Sequence, residues 1–315
     1  MSGYLARRLL QLVPVLFGIS VLVFALMALL PGSPAQAILG SYATPENVER
    51  LNEELNLNGS LPERYVSWMG NVLTGDFGRS YSLNRPVTDE IGERLRATLL
   101  LSSAALVVAA VLGLASGVGA AIRQNRWQDR TLTVAALVGL SMPSFWLAMV
   151  MIVIFSLELG WFPAGNMTDA FGGGGVLDVL HHLVLPAVSL GLVATGVLSR
   201  FTRSSMLEVL RQDYVTTARS KGLTERQIVR SHAFRNARVN IVPILGVQVG
   251  FLLGGAVYIE TVFNWPGIGR MLVDAIATRD LLLVQGGVLT LAVIYVLVNL
   301  GTDVVQAALD PRIRT

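Results

Sequence analysis

The residues able to do chemistry are few. The chain holds three histidines, His181, His182 and His232, and no cysteine, which excludes disulfides, thiolate metal sites and cysteine nucleophiles. His181 and His182 stand at the entrance of an apolar stretch and read as an interfacial pair. Three histidines are too few and too scattered for a convincing metal site, so none is expected. Lys221 is the only lysine, and Gly222 follows it. A phosphate-binding P-loop needs Ser or Thr after its lysine, so the chain has no Walker A site of its own. No Gly-x-Ser-x-Gly elbow occurs, which leaves a serine hydrolase without its nucleophile turn. No catalytic residue is therefore expected. What remains are polar groups inside apolar surroundings: Gln248, Glu260, Asn264, Asn299 and Asp303. Such groups are costly in lipid and face protein or water, so they are candidates for a translocation pathway or for interhelical bonds. Asn299 and Asp303, four apart, share one helical face.

The elements that must position these groups are membrane helices. Hydrophobic residues make up 53% of the 315 and charged ones only 14%, against roughly 25% charged in soluble domains. The apolar residues form blocks of about 20, the length that crosses a bilayer core as a helix. The short alternating segments of a barrel are absent. The expected class is all-α and polytopic. Six spans are predicted near Leu9–Leu30, Thr98–Ile122, Leu132–Leu157, Leu183–Leu198, Ile241–Val262 and Leu281–Ala307. The fourth is short and contains Pro186, which membrane helices tolerate. The first could be read as a cleaved leader ending near Ala35-Gln36-Ala37, but its apolar run exceeds the usual leader length.

Arginine placement sets the orientation. Arg7 and Arg8 precede span one, Arg123, Arg126 and Arg130 lie between spans two and three, and nine basic residues lie between spans four and five. All fall on one side of an even-span chain, so both termini are expected to be cytoplasmic. The domain plan is then 1–30 for the amino terminus and first span, 31–97 for an external insertion, and 98–315 for the core with spans two to six. The insertion carries more acids than bases and reads as small and soluble. Thr44 can cap a helix through Leu55, with Pro45 and Glu46 in its first turn, and Leu61–Leu73 continues with apolar spacing. In span five Gly246, Gly250 and Gly254 recur every four positions. Such a stripe reads as close helix packing, with a smooth translocation wall as the alternative, and Gly113 and Gly117 in span two read the same way.

The loop at 200–238 is too patterned for a connector. Met206–Lys221 carries apolar residues near helical spacing. Gly222 stands where a left-handed residue would end a helix, and Thr224 with Gln227 fits a capping box. The expectation is a basic amphipathic helix, a glycine turn and a second helix. Its apolar face could meet the membrane surface, the protein's own core or another subunit.

The run Asp213-Tyr214-Val215-Thr216-Thr217-Ala218-Arg219-Ser220-Lys221-Gly222, followed by His232-Ala233-Phe234-Arg235-Asn236-Ala237 and Pro243, resembles the EAA loop of ABC importer permeases, in the form found in dipeptide, oligopeptide, glutathione and nickel systems. Thr216 and Thr217 replace the motif's glutamate and first alanine, as the peptide subfamily also does, and Ala218 matches the second. Further similar wording stands at Gly75-Asp76-Phe77-Gly78-Arg79-Ser80, Trp161-Phe162-Pro163-Ala164-Gly165, Glu260 to Arg270, and Asp310-Pro311-Arg312. The long insertion after span one points to the B-type permease.

The resemblance implies a type I ABC importer permease fold and a non-catalytic subunit of the bacterial inner membrane. The partners it implies are a C-type permease, two ATP-binding subunits, an extracytoplasmic binding protein and the bilayer, with no nucleic acid. ATP and magnesium would sit on the partner subunits and no cofactor on this chain. Thr216, Thr217, Ala218 and Gly222 would shape a coupling helix, with His232, Arg235 and Asn236 flanking the contact. The substrate expected is a di- or oligopeptide, with glutathione or nickel complexes as alternatives. A secondary transporter or channel, working without ATP, is the rival reading from another class.

Overall fold

The computed structural model describes residues 2–29, 34–40, 43–54, 58–169 and 174–309. Among them every regular element is helical, apart from one isolated antiparallel bridge between Arg79 and Pro86. The carboxyl-terminal Asp310-Pro311-Arg312 lies outside the described residues.

The first long apolar helix, α1 (Ser2–Ala28), is followed by three short ones, α2 (Pro34–Leu39), α3 (Pro45–Glu54) and α4 (Leu61–Leu73). Thr44 Oγ1 accepts from the Asn47 N–H at 3.3 Å, ahead of α3. At the start of α4 the Glu63 carboxylate accepts from the Ser60 N–H at 2.9 Å, and the hydrogen bonds from Ser60 hold that carboxyl below its ordinary range. Of these helices, α4 packs on the first span. Tyr65 shares a 2.8 Å hydrogen bond with Ser20 of α1, and Phe17, Phe24 and Trp68 pack around its ring.

The core begins with α5 (Val87–Ile122). Next come α6 (Trp127–Ser141) and α7 (Ser144–Met151), which runs on as a π-helical segment over Ile152–Glu158. The long α8 (Val176–Leu210) is followed by the short α9 (Asp213–Ser220). One continuous helix then runs from α10 (Glu225–Gln227) through a π-helical turn (Ile228–Ala233) into α11 (Phe234–Val262). Finally α12 (Ile268–Ala277) leads to α13 (Leu281–Leu309).

Two spans differ from the sequence reading. The expected third span is broken, α6 and the α7 segment meeting at 103°. Pro143 has no N–H to continue the first helix and forces Met142 into extended backbone, φ −85° and ψ 130°. The expected fourth span was drawn too short. Helix α8 runs 35 residues and lies at the centre of the bundle, packed against α5, α6, α7 and α11. Its buried polar and small residues (Ser189, Gly191, Gly196, Ser199, Thr202 and Ser205) lower its apparent hydropathy while protein surrounds it.

Close packing explains the small residues. A side chain on Gly191 would stand 2.6 Å from the Ala105 carbonyl oxygen, one on Gly113 2.7 Å from Leu198, and one on Gly117 2.6 Å from Thr202. The numbers rise together, so α5 and α8 run parallel with their backbones nearly touching, as small-residue interfaces allow. Within α11 the glycine stripe divides. Gly246 faces Thr302 and Gly250 faces Tyr295, both on α13 of this same chain, whereas nothing lies within 4 Å of a side chain built on Gly254.

Candidate functional site

Two regions stand out, at opposite ends of the bundle. The first is the hairpin between α8 and α11. The predicted single helix Met206–Lys221 is interrupted at Arg211 and Gln212, where Gln212 is extended and Asp213 opens a new first turn. After α9 the Gly222 N–H donates to the Arg219 carbonyl at 2.9 Å and the Leu223 N–H to the Ala218 carbonyl at 3.3 Å. With Gly222 at φ +81°, this is a Schellman turn, and glycine occupies its left-handed position. The second arm starts with the expected capping box. Gln227 Oε1 accepts from the Thr224 N–H at 3.0 Å, and Thr224 Oγ1 accepts from the Gln227 N–H at 3.4 Å. Arg219 Nε donates to Glu225 Oε1 across the turn at 2.7 Å.

The hairpin's apolar face finds its partner in the protein's own core. Val215, Ala218 and Ile228 are buried together, with Leu210 and Leu223 packed on them. Ala233, Ala237 and Ile241 bury against Met206, Val209 and Ala121. Of the three partners left open by the sequence, the second applies to this face. The outer face is polar: Thr216, Thr217, Arg219, Ser220, Lys221, Gly222 and Arg235 are exposed. Asn236 Nδ2 donates to the Tyr214 hydroxyl at 2.6 Å, tying the two arms, while His232 is half-buried.

Beside the hairpin a strut escaped the sequence reading. Arg203 of α8 donates through Nε and Nη2 to the two carboxylate oxygens of Asp129, at 2.7 and 2.8 Å. The Asp129 side chain is only 5% exposed. A lone acid in an arginine-rich loop was the available signal.

The second region lies at the other end. Glu260 is fully buried. Its Oε1 accepts from the Thr98 hydroxyl at 2.6 Å and its Oε2 from the Arg270 N–H at 3.0 Å. Thr98 Oγ1 accepts in turn from the Ile268 N–H at 2.8 Å, and the Trp265 indole donates to the Ala97 carbonyl at 3.0 Å. A side chain on Gly267 would strike the Glu260 carboxylate, so that glycine makes room for the acid. Asn264 is exposed and bonds Asn166, joining two of the motifs singled out in the sequence. At the same end Asp280, beside the first turn of α13, accepts from the Ser80 hydroxyl at 2.6 Å and from the Ser82 hydroxyl and N–H at 2.8 and 3.0 Å. Burial and the Asp280 charge push the neighbouring Tyr81 hydroxyl up to about 12.

The candidate pathway residues do not gather at one point. Glu260 and Asn264 share the mouth. Gln248 is buried and donates to the Ala194 carbonyl of α8 at 3.4 Å. Asn299 and Asp303 are half-buried on α13. Thr302, between them, faces Gly246, which a helical rise of 1.5 Å per residue puts about 20 Å from Glu260.

The description "binding-protein-dependent transport system inner membrane component" matches residues 97–315, and that of its N-terminal part matches residues 1–102. The chain belongs to this family. It is an ABC importer permease subunit, integral to the inner membrane. The permease is 42% identical over 314 residues to the glutathione transport system permease protein GsiC of Escherichia coli (strain K12), covering 100% of this chain and 99% of that one. The same figures hold for GsiC of Shigella dysenteriae serotype 1 (strain Sd197). The fold is also that of the MetNI methionine ABC transporter in two inward-facing crystal forms. They match with TM-scores of 0.58 and 0.60 at 19% and 18% identity, each covering 70% of this permease and 96% of the other chain.

Proposed function

We propose that this permease forms half of the translocation pathway of an ATP-driven importer for peptide-type substrates. Its hairpin would be the element through which ATP hydrolysis drives it. The single observation carrying this reading is the division of labour within the hairpin. Its apolar face is consumed by the chain's own core, while a rigid outer face of Thr216, Thr217, Gly222 and Arg235 stays open. Capping box, Schellman turn and ion pair stiffen an element that has no internal reason to be stiff. A rigid lever is what transmits the motion of a separate ATPase to the helices behind it.

In this reading the hairpin and both termini face the cytoplasm. A C-type permease completes the membrane unit, two ATPase subunits hold ATP and magnesium, and a binding protein delivers substrate at the Glu260 end. This chain holds no cofactor for that reaction. Glutathione, a modified tripeptide, suits the class as well as di- or oligopeptides do, and relatives 42% identical carry its name. Nickel complexes are the remaining alternative within the same architecture.

The test is uptake into proteoliposomes containing the full complex and its binding protein, with labelled dipeptide, longer peptide, glutathione and nickel offered side by side. ATP-dependent accumulation of one peptide class, glutathione included, supports the proposal. Equal passage of a compound without ATP overturns it in favour of a channel or secondary transporter.

A further inference from the structure

At the Glu260 end of the bundle, the loop after the broken span approaches the first turns of α8 and brings three potential ligands together. One side-chain nitrogen or oxygen from each of Asp169, Asp178 and His182 lies within 4.8 Å of the others. The His182 side chain is 3% exposed. Its Nδ1 stands 3.0 Å from the Asp178 carbonyl oxygen and 3.1 Å from Asp178 Oδ1. Both are acceptors, so Nδ1 carries the ring hydrogen and donates. With the hydrogen on Nδ1, the other ring nitrogen, Nε2, faces a second carboxylate, Asp169 Oδ1, at 3.6 Å. At 3.6 Å this pair lies beyond the hydrogen-bond range of about 2.7–3.2 Å, and a cation between the buried ring and the exposed carboxylate would bring both into contact with it.

We propose that Asp169, Asp178 and His182 bind a divalent transition-metal cation of the zinc type. A ligating histidine donates its other ring N–H to a carbonyl or carboxylate, which fixes the tautomer and turns the lone pair to the metal. The contact of Nδ1 with the Asp178 carbonyl oxygen does this and leaves the Asp178 carboxylate for the ion. Ligands about 2.0–2.2 Å from a tetrahedral ion stand roughly 3.4 Å apart, close to the observed separation of Nε2 and Asp169 Oδ1. Two carboxylates neutralise the charge of the cation, and three protein ligands leave a fourth position for water. The Asp169 N–H donates to Asp178 Oδ2 at 3.0 Å, so the loop ligand is already held beside the helix ligand. Asp178 and His182 stand four apart on one face of α8, a spacing that helix-borne ligands use, but the third ligand joins them only through the return of the loop onto α8. A bound cation would staple the loop at 161–169 to α8. Through Asn166, whose N–H donates to the Phe263 carbonyl at 2.7 Å, the staple would extend to the end of α11.

The experiment uses the purified full importer, stripped with chelator and titrated with Zn²⁺, with Co²⁺ as a spectroscopic probe. Wild type is expected to gain one ion over the Asp169→Asn complex, with the visible absorption of four-coordinate cobalt. Asp169→Asn, an exposed change, is expected to weaken binding by at least about tenfold without shifting the metal-free melting temperature, and His182→Gln to abolish it. Equal binding by wild type and Asp169→Asn, or no ion taken up by wild type at sub-millimolar Zn²⁺, overturns the proposal and leaves an imidazolium between the two carboxylates. Neither readout depends on transport, so the outcome stands apart from the substrate question.

Discussion

Asn264 donates a side-chain amide hydrogen to the side-chain oxygen of Asn166, joining positions 98 residues apart. Both hold left-handed backbone, φ 54° and 64°, which asparagine tolerates better than most residues. Between them a side chain on Gly165 would stand 2.6 Å from the Phe263 carbonyl oxygen. The contact fastens the end of α11 to the loop that follows the broken span. Asn264→Gly keeps the backbone and loses one hydrogen bond, for an expected cost of about 1 kcal/mol. Asn264→Val adds left-handed strain of about 1–2 kcal/mol. Thermal unfolding of the purified complex is expected to rank Val well below Gly; equal melting would show that the turn is not under conformational control.

The Asp129–Arg203 pair should behave as a buried strut. Removing one partner of such a pair leaves the other uncompensated, at a cost of about 3–5 kcal/mol when fully buried. Arg203 is 30% exposed, so Arg203→Ala is expected to lie near the lower end, about 3 kcal/mol. Arg203→Lys should recover only part, because lysine cannot make the two-pronged contact. Melting of the three complexes side by side checks the order.

At the hairpin, Gly222→Ala meets open space at φ +81°. Its penalty is therefore conformational alone, about 1–2 kcal/mol. Gly222→Pro cannot adopt the turn at all, since proline holds φ near about −65°. Expected outcomes are modest loss of substrate-stimulated ATP hydrolysis for alanine and near-complete loss for proline. Arg235→Glu, a surface charge reversal, should lose coupling with the fold intact. Wild-type coupled turnover in both the Gly222→Pro and the Arg235→Glu complexes would exclude the hairpin as the lever.

The divided glycine stripe separates two kinds of packing. Gly246→Val drives a side chain into Thr302 and Gly250→Val into Tyr295, and each is expected to destabilise this chain by about 1–3 kcal/mol. Gly254→Val has room within the chain. If its face meets the companion permease that the family resemblance implies, the change should leave the isolated subunit's melting unchanged and weaken co-purification of the two permeases. Unchanged co-purification would place Gly254 against lipid.

Glu260→Gln tests the mouth network. The Thr98 hydroxyl and the Arg270 N–H both donate to the carboxylate, and Thr98 already accepts from Ile268, which fixes the direction of its hydrogen. A glutamine would aim its NH₂ at one of these donors. The expected cost is about 1–3 kcal/mol, read as a lower melting temperature; a neutral result would mean that the loop at 264–270 rearranges freely.

Apolar block length, the Gly222 turn and the Thr224–Gln227 box were legible in the sequence because each depends on residues within one turn or one helix of each other. Their physics is local: a helix must span lipid, a left-handed turn wants glycine, and an exposed amide wants a cap. The recurring motifs likewise identified the family before any geometry was known. The extent of α8 was not legible, because its buried Ser and Gly residues lower its hydropathy while neighbouring helices, not lipid, surround it. The break at Pro143 was written in the chain, yet hydropathy averaging passed over it.

Everything that joins distant segments was decided by tertiary structure. Asp129 meets Arg203, Glu260 meets Thr98 and Asp280 meets Ser80 across 74, 162 and 200 residues, and no spacing rule reaches that far. The hairpin's amphipathic pattern announced a buried face without naming its partner, since an apolar side chain is satisfied equally by lipid, core or another subunit. Only the folded chain shows that face used up by its own core, leaving the polar face as the one available to another protein.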